Sequence, residues 1–422
     1  MSDSKLLARR QRLLGKATLF YESPLHIVRG EGVYLYDDSG RQYVDMYNNV
    51  PCVGHANLRV VAAMERQMKT LNVHSRYLHD GILNFGERLL GYHHENLEQV
   101  VFACSGTEAS EVALQMARFG TGGRGIICSD ATYHGNSTEV GKMSAQPVTD
   151  PDFRSIPFPQ TYRPLVEGLS RVELAGAYLD SLQDAIDDFS RQDTPFAGLF
   201  VCSIFANEGL PEIPEGFMSK AVELVHAAGG VVIADEVQAG YCRSGNWWGY
   251  ETSGFVPDIV TMGKPMGNGM PVSAVVASAR LVSAFRDGTH YFNTFASSPV
   301  QAAVGMAVMD VIEEEDLLRR SARLGDYLRS ELEKMQADHE PMGDVRGCGL
   351  FVGIDWVSDR EKKTADPIGA ADLADRLKDK GFLLSNAGAL DNVIKIRPPL
   401  VFEQEQADAF LQAFADVLGD LS

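Results

Sequence analysis

The sequence predicts an α/β protein with one large domain built on a mostly parallel sheet and a second, smaller α+β domain. Continuous apolar runs, rather than alternating ones, recur along the chain, as expected for strands that are covered on both faces. Segments of helical periodicity separate these runs, and this alternation is typical of a parallel sheet with crossover helices. The runs are VVFAC (100–104), GIICS (125–129), GLFVCSIF (198–205), GVVIAD (230–235), PDIVTM (257–262) and SAVVAS (273–278).

Glycines mark the ends of the two clearest predicted helices. EASEVALQMARF has apolar residues at helical spacing and is followed by Gly120, and MSKAVELVHAAGG ends in a pair of glycines. Glycine is a common helix stop because it adopts the left-handed conformation at low cost. Both segments therefore predict helices that connect neighbouring parallel strands.

The pattern divides the chain into three parts. Residues 1–50 contain GEGVYLYDDSGRQYVDM, which predicts a hairpin with DDSG as its turn, and we expect this arm to join the smaller domain. Residues 51–310 form the predicted large domain. Residues 311–422 contain a charged, helix-rich stretch, fewer strands and a final amphipathic helix, so they predict the small α+β domain.

The charge balance argues against two classes of partner. The 422 residues include 38 basic and 57 acidic ones, which gives a formal net charge of −19. A chain this acidic is a poor match for nucleic acid or for an anionic membrane surface. No apolar run of about 18 residues is present to span a membrane, and the first residues lack the apolar core of a secretion signal.

Residue spacing excludes several kinds of site. The six cysteines form no CxxC motif and several lie in apolar runs, which is typical of reduced thiols in a cytoplasmic protein. Because HExxH and clustered Cys and His residues are absent, we expect no metal site, and no G-x-S-x-G nucleophile elbow is present. GTGGRG matches a dinucleotide fingerprint, but it follows a predicted helix and opens a strand, so it predicts a loop.

Polar and aromatic residues follow two of the predicted strands. ACSGTEASEVAL places Ser105 and Thr107 where a strand ends and a helix starts, which suits an anion. The alternative is an ordinary helix cap, since Ser and Thr are favoured there in any case. DATYHGN places Tyr133 and His134 after the next strand, where an aromatic ring can stack on a planar ligand; the alternative is a surface turn.

Charged residues follow two further strands. IADEVQAG ends a strand with Asp235 and Glu236, at the edge of an open α/β sheet where ligands bind. This acidic pair suits a cationic ring or a metal, and its alternative is helix capping. Lys264, in TMGK, comes one strand–helix–strand step later, at the end of a buried strand and in a loop of small residues.

Together these groups suit pyridoxal 5'-phosphate. Its aldehyde needs a lysine for a Schiff base, its ring nitrogen needs a carboxylate to hold a proton, and its phosphate needs a helix start. We therefore expect Lys264 to hold the cofactor and then to move the substrate's proton. The alternative, a cofactor-binding protein without catalysis, is disfavoured because Lys264 and Asp235 are both present.

The sequence resembles the class III aminotransferases, which are pyridoxal-phosphate enzymes of fold type I, over essentially its whole length. SGTEA, TYHGN, ADEVQAG, TMGK and FNTF…SPV are landmarks of that family, in the order of that family. The resemblance implies a seven-stranded-type sheet in the large domain, which then binds the cofactor. It also implies a homodimer, with a dimer of dimers left open.

The resemblance implies a role for each landmark residue. Lys264 is then the Schiff-base lysine, and Asp235 is the partner of the pyridine nitrogen. The remaining cofactor-binding residues are Ser105, Gly106 and Thr107 at the phosphate, Tyr133 and His134 at the ring, and Gln238 at the ring hydroxyl. Thr294, in YFNTF, resembles the threonine that crosses a dimer interface to the neighbour's cofactor phosphate.

The substrate pocket is less well defined by the resemblance. LNVHSRYLHD and GDVRGCGLFVGIDW resemble the alanine–glyoxylate aminotransferase-2-like group, some of whose members are phospho-lyases. Arg397, in KIRPPL, is placed as the arginine for a substrate carboxylate, and Glu208 as an acidic gate residue that pairs with it. Arg76 and Asn49 are further candidates for substrate binding.

These features favour an aminotransferase that moves an amino group from a small polar primary amine or amino acid to a keto acid. The alternative is a phospho-lyase that eliminates phosphate from ethanolamine phosphate or a related amino-alcohol phosphate. Both reactions begin with removal of the proton beside the amine. The planar fork of Arg397 suits a carboxylate and a phosphate alike, so the residues leave the choice open.

Overall fold

The computed structural model describes residues 3–16 and 18–421. Its α-helices are α1 (Asp3–Leu14), α2 (Leu58–Thr70), α3 (Asp80–Leu90), α4 (Gly106–Thr121), α5 (Arg171–Arg191), α6 (Phe217–Ala227), α7 (Gly249–Thr252), α8 (Ala279–Gly288), α9 (Pro299–Glu314), α10 (Leu317–Asp338), α11 (Pro367–Asp379) and α12 (Gln404–Leu421). Its strands are β1 (Ile27–Glu31), β2 (Tyr34–Asp37), β3 (Gln42–Asp45), β4 (Gln99–Ala103), β5 (Gly125–Ser129), β6 (Phe153–Ile156), β7 (Phe196–Cys202), β8 (Val231–Asp235), β9 (Ile259–Met262), β10 (Ser273–Ala277), β11 (Met342–Gly347), β12 (Val352–Asp359), β13 (Thr364–Ala365), β14 (Phe382–Leu383), β15 (Ser385–Ala387) and β16 (Val393–Ile396).

A seven-stranded sheet with the order β4-β10-β9-β8-β7-β5-β6 forms the centre of the fold. Strands β5 to β9 pair in parallel, and β10 is antiparallel to both of its neighbours. In β8, Val231 and Ile233 pack in one apolar cluster, whereas Val232 and Ala234 pack in another. Both faces of the sheet are therefore buried, which explains the continuous apolar runs and confirms the predicted α/β class.

The structure adds one strand to the predicted sheet and moves one helix end. Strand β6 lies at the sheet edge and has the sequence FRSI, in which Arg154 and Ser155 interrupt the apolar pattern. Helix α4 continues past Gly120, and Gly122, with φ of 73°, closes it instead. A Cβ at Gly122 would meet no atom within 4 Å, so the left-handed backbone is what favours glycine at this position.

The N-terminal hairpin shares a sheet with the C-terminal part of the chain. Strands β2 and β3 pair around the predicted turn, and β14 adds to β3 in parallel, giving the order β1-β2-β3-β14. A further sheet has the order β11-β12-β16-β15, with β13 paired to β12. Just after β16, the backbone N–H of Arg397 donates to the carbonyl of Met46 at 2.8 Å. The domain boundaries at residues 50 and 310 stay predictions.

The helix-rich stretch after the large sheet consists of two helices. Helix α9 ends at Glu314, and α10 begins at Leu317 after Asp316 has adopted a left-handed φ of 50°. Most side chains of α9 are buried, whereas α10 buries only one face. Within residues 3–16 and 18–421, no helix combines the length and the apolar content that a membrane span requires.

Candidate active site

The parallel register brings the predicted acid and lysine to one edge of the sheet. Cys202 at the end of β7 pairs with Asp235 at the end of β8, and Asp235 pairs with Thr261 near the end of β9. Lys264 then opens a 3₁₀ turn that runs to Gly267. Because parallel strands end at the same edge, Asp235 and Lys264 both reach the carboxyl side of the sheet, where ligands bind in open α/β folds.

The amine of Lys264 occupies a largely enclosed site. Burial lowers its pKa, the carboxylate of Asp235 opposes this effect, and the charge of Arg397 adds to it. A lysine with a lowered pKa spends more time as the free amine than an exposed lysine does. That form is needed both to bond an aldehyde and to accept a proton.

The carboxylate of Asp235 is hydrogen-bonded to the ring of His134. Its Oδ2 lies 2.7 Å from Nδ1 of His134, and its Oδ1 accepts from the backbone N–H of Val237 at 2.9 Å. The far nitrogen of His134 is 2.7 Å from the hydroxyl of Thr132, and the ring stacks on Phe200 at 4.2 Å. His134 is therefore a buried residue whose ring contacts Asp235, Thr132 and Phe200. We infer that His134 positions the carboxylate of Asp235 rather than contacting the cofactor ring itself.

The start of α4 forms a cup that fits a phosphate. Ser105 caps the helix, because its Oγ accepts from the N–H of Glu108 at 3.2 Å. The helix-cap alternative for Ser105 is therefore observed, and it is compatible with a phosphate at the same helix start. The N–H groups of Gly106 and Thr107 are among the first-turn donors that no helix carbonyl can satisfy. Gly135 has a φ of 141°, and a Cβ there would lie 2.8 Å from Cα of Thr107. Glycine therefore keeps this cup open.

Asn207 links the predicted ring-stacking residue to the predicted ring-hydroxyl residue. Its Nδ2 donates to the carbonyl of Tyr133 at 2.9 Å, and its Oδ1 accepts from Nε2 of Gln238 at 2.8 Å. The ring of Tyr133 is 48% exposed, so one face is free for a planar ligand. Asn207 was not singled out from the sequence, because these contacts join distant segments of the chain.

Arg397 and Asn49 present buried donors that have no partner within the described residues. The guanidinium of Arg397 packs over the ring of Tyr47 at 4.1 Å and donates through Nη1 to the amide oxygen of Gln238, but its Nε makes no hydrogen bond. The Nδ2 of Asn49 is likewise buried without an acceptor. Burial lowers the pKa of Arg397. An uncompensated buried donor is costly, so both groups indicate a site for an anion.

The predicted pair between Glu208 and Arg397 is not formed. Glu208 is fully buried, and its Oε1 instead accepts from the hydroxyl of Ser129 at 2.5 Å. Burial raises the pKa of Glu208, which favours the neutral acid. Asp45 acts on Arg397 through its charge, but its Oδ2 lies 2.7 Å from His55. Among the described residues, Arg397 therefore forms no ion pair with a carboxylate.

Thr294 and Arg76 lie on the surface. Thr294 is exposed, and so are its neighbours Phe292 and Phe295 at 40% and 75%. Arg76 is also exposed, and its guanidinium stacks over Phe292 at 4.2 Å. Asn293, the neighbour of Thr294, donates through Nδ2 to a carboxylate in the first turn of α4, so this segment runs beside the predicted phosphate site. A role for Thr294 across a dimer interface stays a prediction.

Lys395 is a further charged residue that the sequence reasoning passed over. It lies in β16 within VIKI, and its side chain is 3% exposed. Burial lowers its pKa to about 7, with Arg397 as the next cause, and Lys264 also acts on it. A lysine between apolar residues of a buried strand is unusual, and that context is the signal that could have identified it.

The residues present fit the expected cofactor, pyridoxal phosphate. The N-terminus of α4 would provide backbone donors for its phosphate, and Tyr133 would provide an aromatic face for its ring. Asp235 would provide a fixed carboxylate for the ring nitrogen, and Lys264 would provide an amine of lowered pKa. Gln238, by contrast, uses its amide on Asn207 and Arg397.

Comparison with known proteins places this site in a family. The model of the aminotransferase class-III family matches residues 20–418. An alanine–glyoxylate aminotransferase 2-like protein of Drosophila melanogaster is 38% identical over 99% of this chain and 87% of its own length. The ethanolamine-phosphate phospho-lyase homolog 1 of Caenorhabditis elegans is 33% identical over 99% of this chain and 94% of its own.

A solved structure extends the similarity to the whole fold. A phospholyase from Arthrobacter in complex with phosphoethanolamine superposes with a TM-score of 0.95 and 38% identity, covering 99% of this chain and all of the other. Asp235 and Lys264 lie at the carboxyl ends of β8 and β9 in the seven-stranded sheet. On the family match and these relatives, the chain belongs to the class III aminotransferase family, whose cofactor is pyridoxal phosphate.

Proposed function

We propose that the chain is a phospho-lyase that eliminates phosphate from a small amino-alkyl phosphate such as ethanolamine phosphate. The sequence alone favours transamination, so this proposal reverses that preference. The observation that carries it is the pair of buried, unpartnered donors on Arg397 and Asn49, which face no protein carboxylate. A substrate that brings an anionic group with its amine satisfies both donors.

The position of Glu208 also supports the proposal. A gate carboxylate allows one site to accept both an amino acid and an uncharged amine, because it neutralises the arginine when the substrate does not. Glu208 is bound to Ser129 and has no contact with Arg397, so the arginine has no such neutraliser. This site suits a substrate that always carries an anion. The Arthrobacter relative with bound phosphoethanolamine offers a substrate of that kind.

Each residue then has a defined task in the elimination. When bound, the cofactor supplies an aldehyde for the substrate amine and a ring that stabilises the charge left by proton removal. Lys264 removes the proton from the amine-bearing carbon, and Asp235 keeps the ring nitrogen protonated. Arg397 and Asn49 hold the phosphate group. As the C–O bond to the neighbouring carbon breaks, the phosphate departs and takes the electron pair of that bond with it. With water consumed, the products are phosphate, ammonia and an aldehyde.

Incubation of the purified holoenzyme with ethanolamine phosphate, in the absence of any keto acid, tests this function. We expect continuous release of phosphate, measured colorimetrically, and no release by the Lys264→Ala variant. Conversion of the cofactor to its pyridoxamine form without phosphate release, reversed by a keto acid, would contradict the proposal. That outcome would identify a transaminase, the activity in the name of the Drosophila relative.

We also propose that the working unit is a homodimer. Thr294 lies in an exposed segment beside Phe295, which is 75% exposed, and Leu78 in the segment of Arg76 is 98% exposed. His74 stands between these segments, with its ring 5.9 Å from that of Phe292. Contiguous exposed apolar side chains are typical of protein interfaces. Sedimentation velocity at micromolar concentration tests this, and a fully active monomer would contradict it.

The proposed location is the cytoplasm. All six cysteines are free, and four of them, Cys52, Cys128, Cys202 and Cys242, are buried. Unpaired thiols are typical of reducing compartments. Cell fractionation with an antibody against the chain tests the location.

A further inference from the structure

Lys395 and Arg397 form a pair of buried cations beside the proposed substrate site. Lys395 lies in β16, and Arg397 directly follows the last residue of that strand. The ammonium of Lys395 lies 5.6 Å from the ring centroid of Phe351, and the guanidinium carbon of Arg397 lies 6.0 Å from the same centroid. The side chains are only 3% and 7% exposed.

Neither cation of this pair forms an ion pair with a carboxylate among the described residues. Glu208 acts on Lys395 through its charge, but its Oε1 is bound by Ser129 and burial raises its pKa, which favours the neutral acid, and Asp45 is paired with His55. Lys264, a third basic residue, also acts on Lys395 through its charge. Buried like charges that form no ion pair destabilise a folded protein. Such an arrangement is typical of a site where a bound anionic ligand supplies the opposite charge.

The charge of the pair distinguishes two classes of anion. A carboxylate carries one negative charge on two oxygens, which one planar guanidinium satisfies. A phosphate monoester carries about −1.5 to −2 charges near pH 7 and has three terminal oxygens, so it can accept from two cations at once. The buried amide of Asn49, which has no acceptor among the described residues, is a candidate donor for the third oxygen.

We propose that Lys395 is the residue that makes this site selective for a dianionic phosphate or phosphonate over a carboxylate. The assignment rests on the proposed function and extends it, because it names the residue that sets the substrate class. Arg397 alone accommodates either anion. Lys395 adds the second charge, which a substrate with a carboxylate leaves unneutralised.

Two non-eliminating probes of similar length test the proposal. Aminoethylphosphonate and β-alanine both carry an amine two carbons from their anionic group, and their dissociation constants are measured on the holoenzyme from the first rapid change in cofactor absorbance. We expect the unmodified enzyme to bind the phosphonate at least about tenfold more tightly. Lys395→Met should weaken phosphonate binding by on the order of tenfold to a hundredfold, the usual range for one charge-assisted hydrogen bond, and β-alanine binding by less than about threefold.

Matched variants separate this role from packing. Lys395→Arg keeps the charge and should keep the preference for the phosphonate. Lys378→Met removes another buried lysine, which is paired with Asp375 in α11, and should change neither constant. If Lys395→Met does not retain cofactor, Lys395→Gln gives the same comparison.

Equal weakening of both probes, or no change in either, would overturn the proposal. Failure of the proposed function is a separate result. It would appear as the absence of phosphate release from ethanolamine phosphate by the unmodified enzyme, whereas the two-probe comparison requires no phosphate release.

Discussion

The buried hydrogen bond between Nδ1 of His134 and Oδ2 of Asp235, 2.7 Å long, fixes the carboxylate at the centre of the site. The carboxylate can only accept, so the nitrogen of His134 that faces it carries the proton. Phe200 and Thr132 hold the imidazole from its other sides. Asp235 is thereby aligned before the cofactor binds, which is the condition for electrostatic stabilisation without reorganisation.

Loss of this hydrogen bond should lower turnover without abolishing it. We expect His134→Phe to reduce kcat on the order of tenfold to a hundredfold, because Asp235 keeps its charge but loses its alignment, with KM changed by less than about threefold. His134→Asn, which retains a donor at the position of Nδ1, should recover most of the loss. Near-normal activity of His134→Phe together with a defect in His134→Asn would show that the ring acts only through packing.

Replacement of Asp235 itself should be far more damaging. Asp235→Asn removes the negative charge that keeps the cofactor ring nitrogen protonated, while the volume and the hydrogen bond from Val237 are nearly unchanged. We expect kcat to fall by several powers of ten, on the order of what positioned charges supply in other enzymes. Steady-state kinetics with ethanolamine phosphate measures this, and activity within about threefold of the unmodified enzyme would disprove the role.

Lys264→Ala should leave a folded protein without turnover. The side chain begins a short turn and forms no ion pair with a described carboxylate, so its removal costs little stability. We expect an unchanged far-UV circular dichroism spectrum, loss of the visible absorbance of lysine-bound cofactor, and no phosphate release. Retention of both the absorbance and the activity would show that another amine carries the chemistry.

Lys395 should destabilise the folded enzyme in a pH-dependent way. Its pKa is about 7 in the folded protein and about 10.4 in an unfolded chain, so between these values the unfolded state binds more protons. The destabilisation of the folded protein by Lys395 therefore disappears as the pH rises toward the pKa of the unfolded chain, and it is largest below about pH 7. We expect Lys395→Met to raise the Tm of the ligand-free protein at pH 7 and to have less effect at pH 9.5. Differential scanning calorimetry measures this, and a lower Tm at both pH values would contradict it.

Mixed dimers should reveal whether the sites are shared between subunits. A Lys264→Ala subunit and a Thr294→Ala subunit are each expected to be poorly active alone. If Thr294 serves the neighbouring subunit's cofactor phosphate, a heterodimer collects both defects in one site and leaves the other intact, so activity returns after mixing. If Thr294 serves its own site, activity stays at or below the average of the two variants, and the homodimer proposal loses its main support.

The strand ends that carry the proposed cofactor-binding residues were predictable because strand ends are local signals. The apolar runs that end near Ala103, Asp235 and Met262 place the residues that follow at one edge of a parallel sheet, and the structure confirms this arrangement of strands. The edge strand β6 was missed because Arg154 and Ser155 break its apolar pattern. Pattern thus identifies buried strands better than edge strands.

The substrate pocket was less predictable because its contacts join distant parts of the chain. No local pattern indicates that Asn207 bonds Gln238 or that Glu208 turns to Ser129 rather than to Arg397. Lys395 was detectable in principle, since a lysine in a buried strand is rare, but VIKI also resembles an alternating strand with a solvated face. Only the three-dimensional packing distinguishes a buried lysine from one on the solvated face of such a strand.

The parallel pairing of β14 with β3 has a consequence for synthesis on the ribosome. The N-terminal hairpin emerges more than 300 residues before the strand that completes its sheet, so it must wait with one edge open until the chain is almost finished. The contact between Met46 and Arg397 forms at that last stage, which means that the proposed pocket for a substrate anion is assembled after the seven-stranded sheet can fold. Nascent chains stalled before residue 380 should therefore acquire cofactor more readily than substrate affinity, and chaperones are expected to engage the open edge of β3.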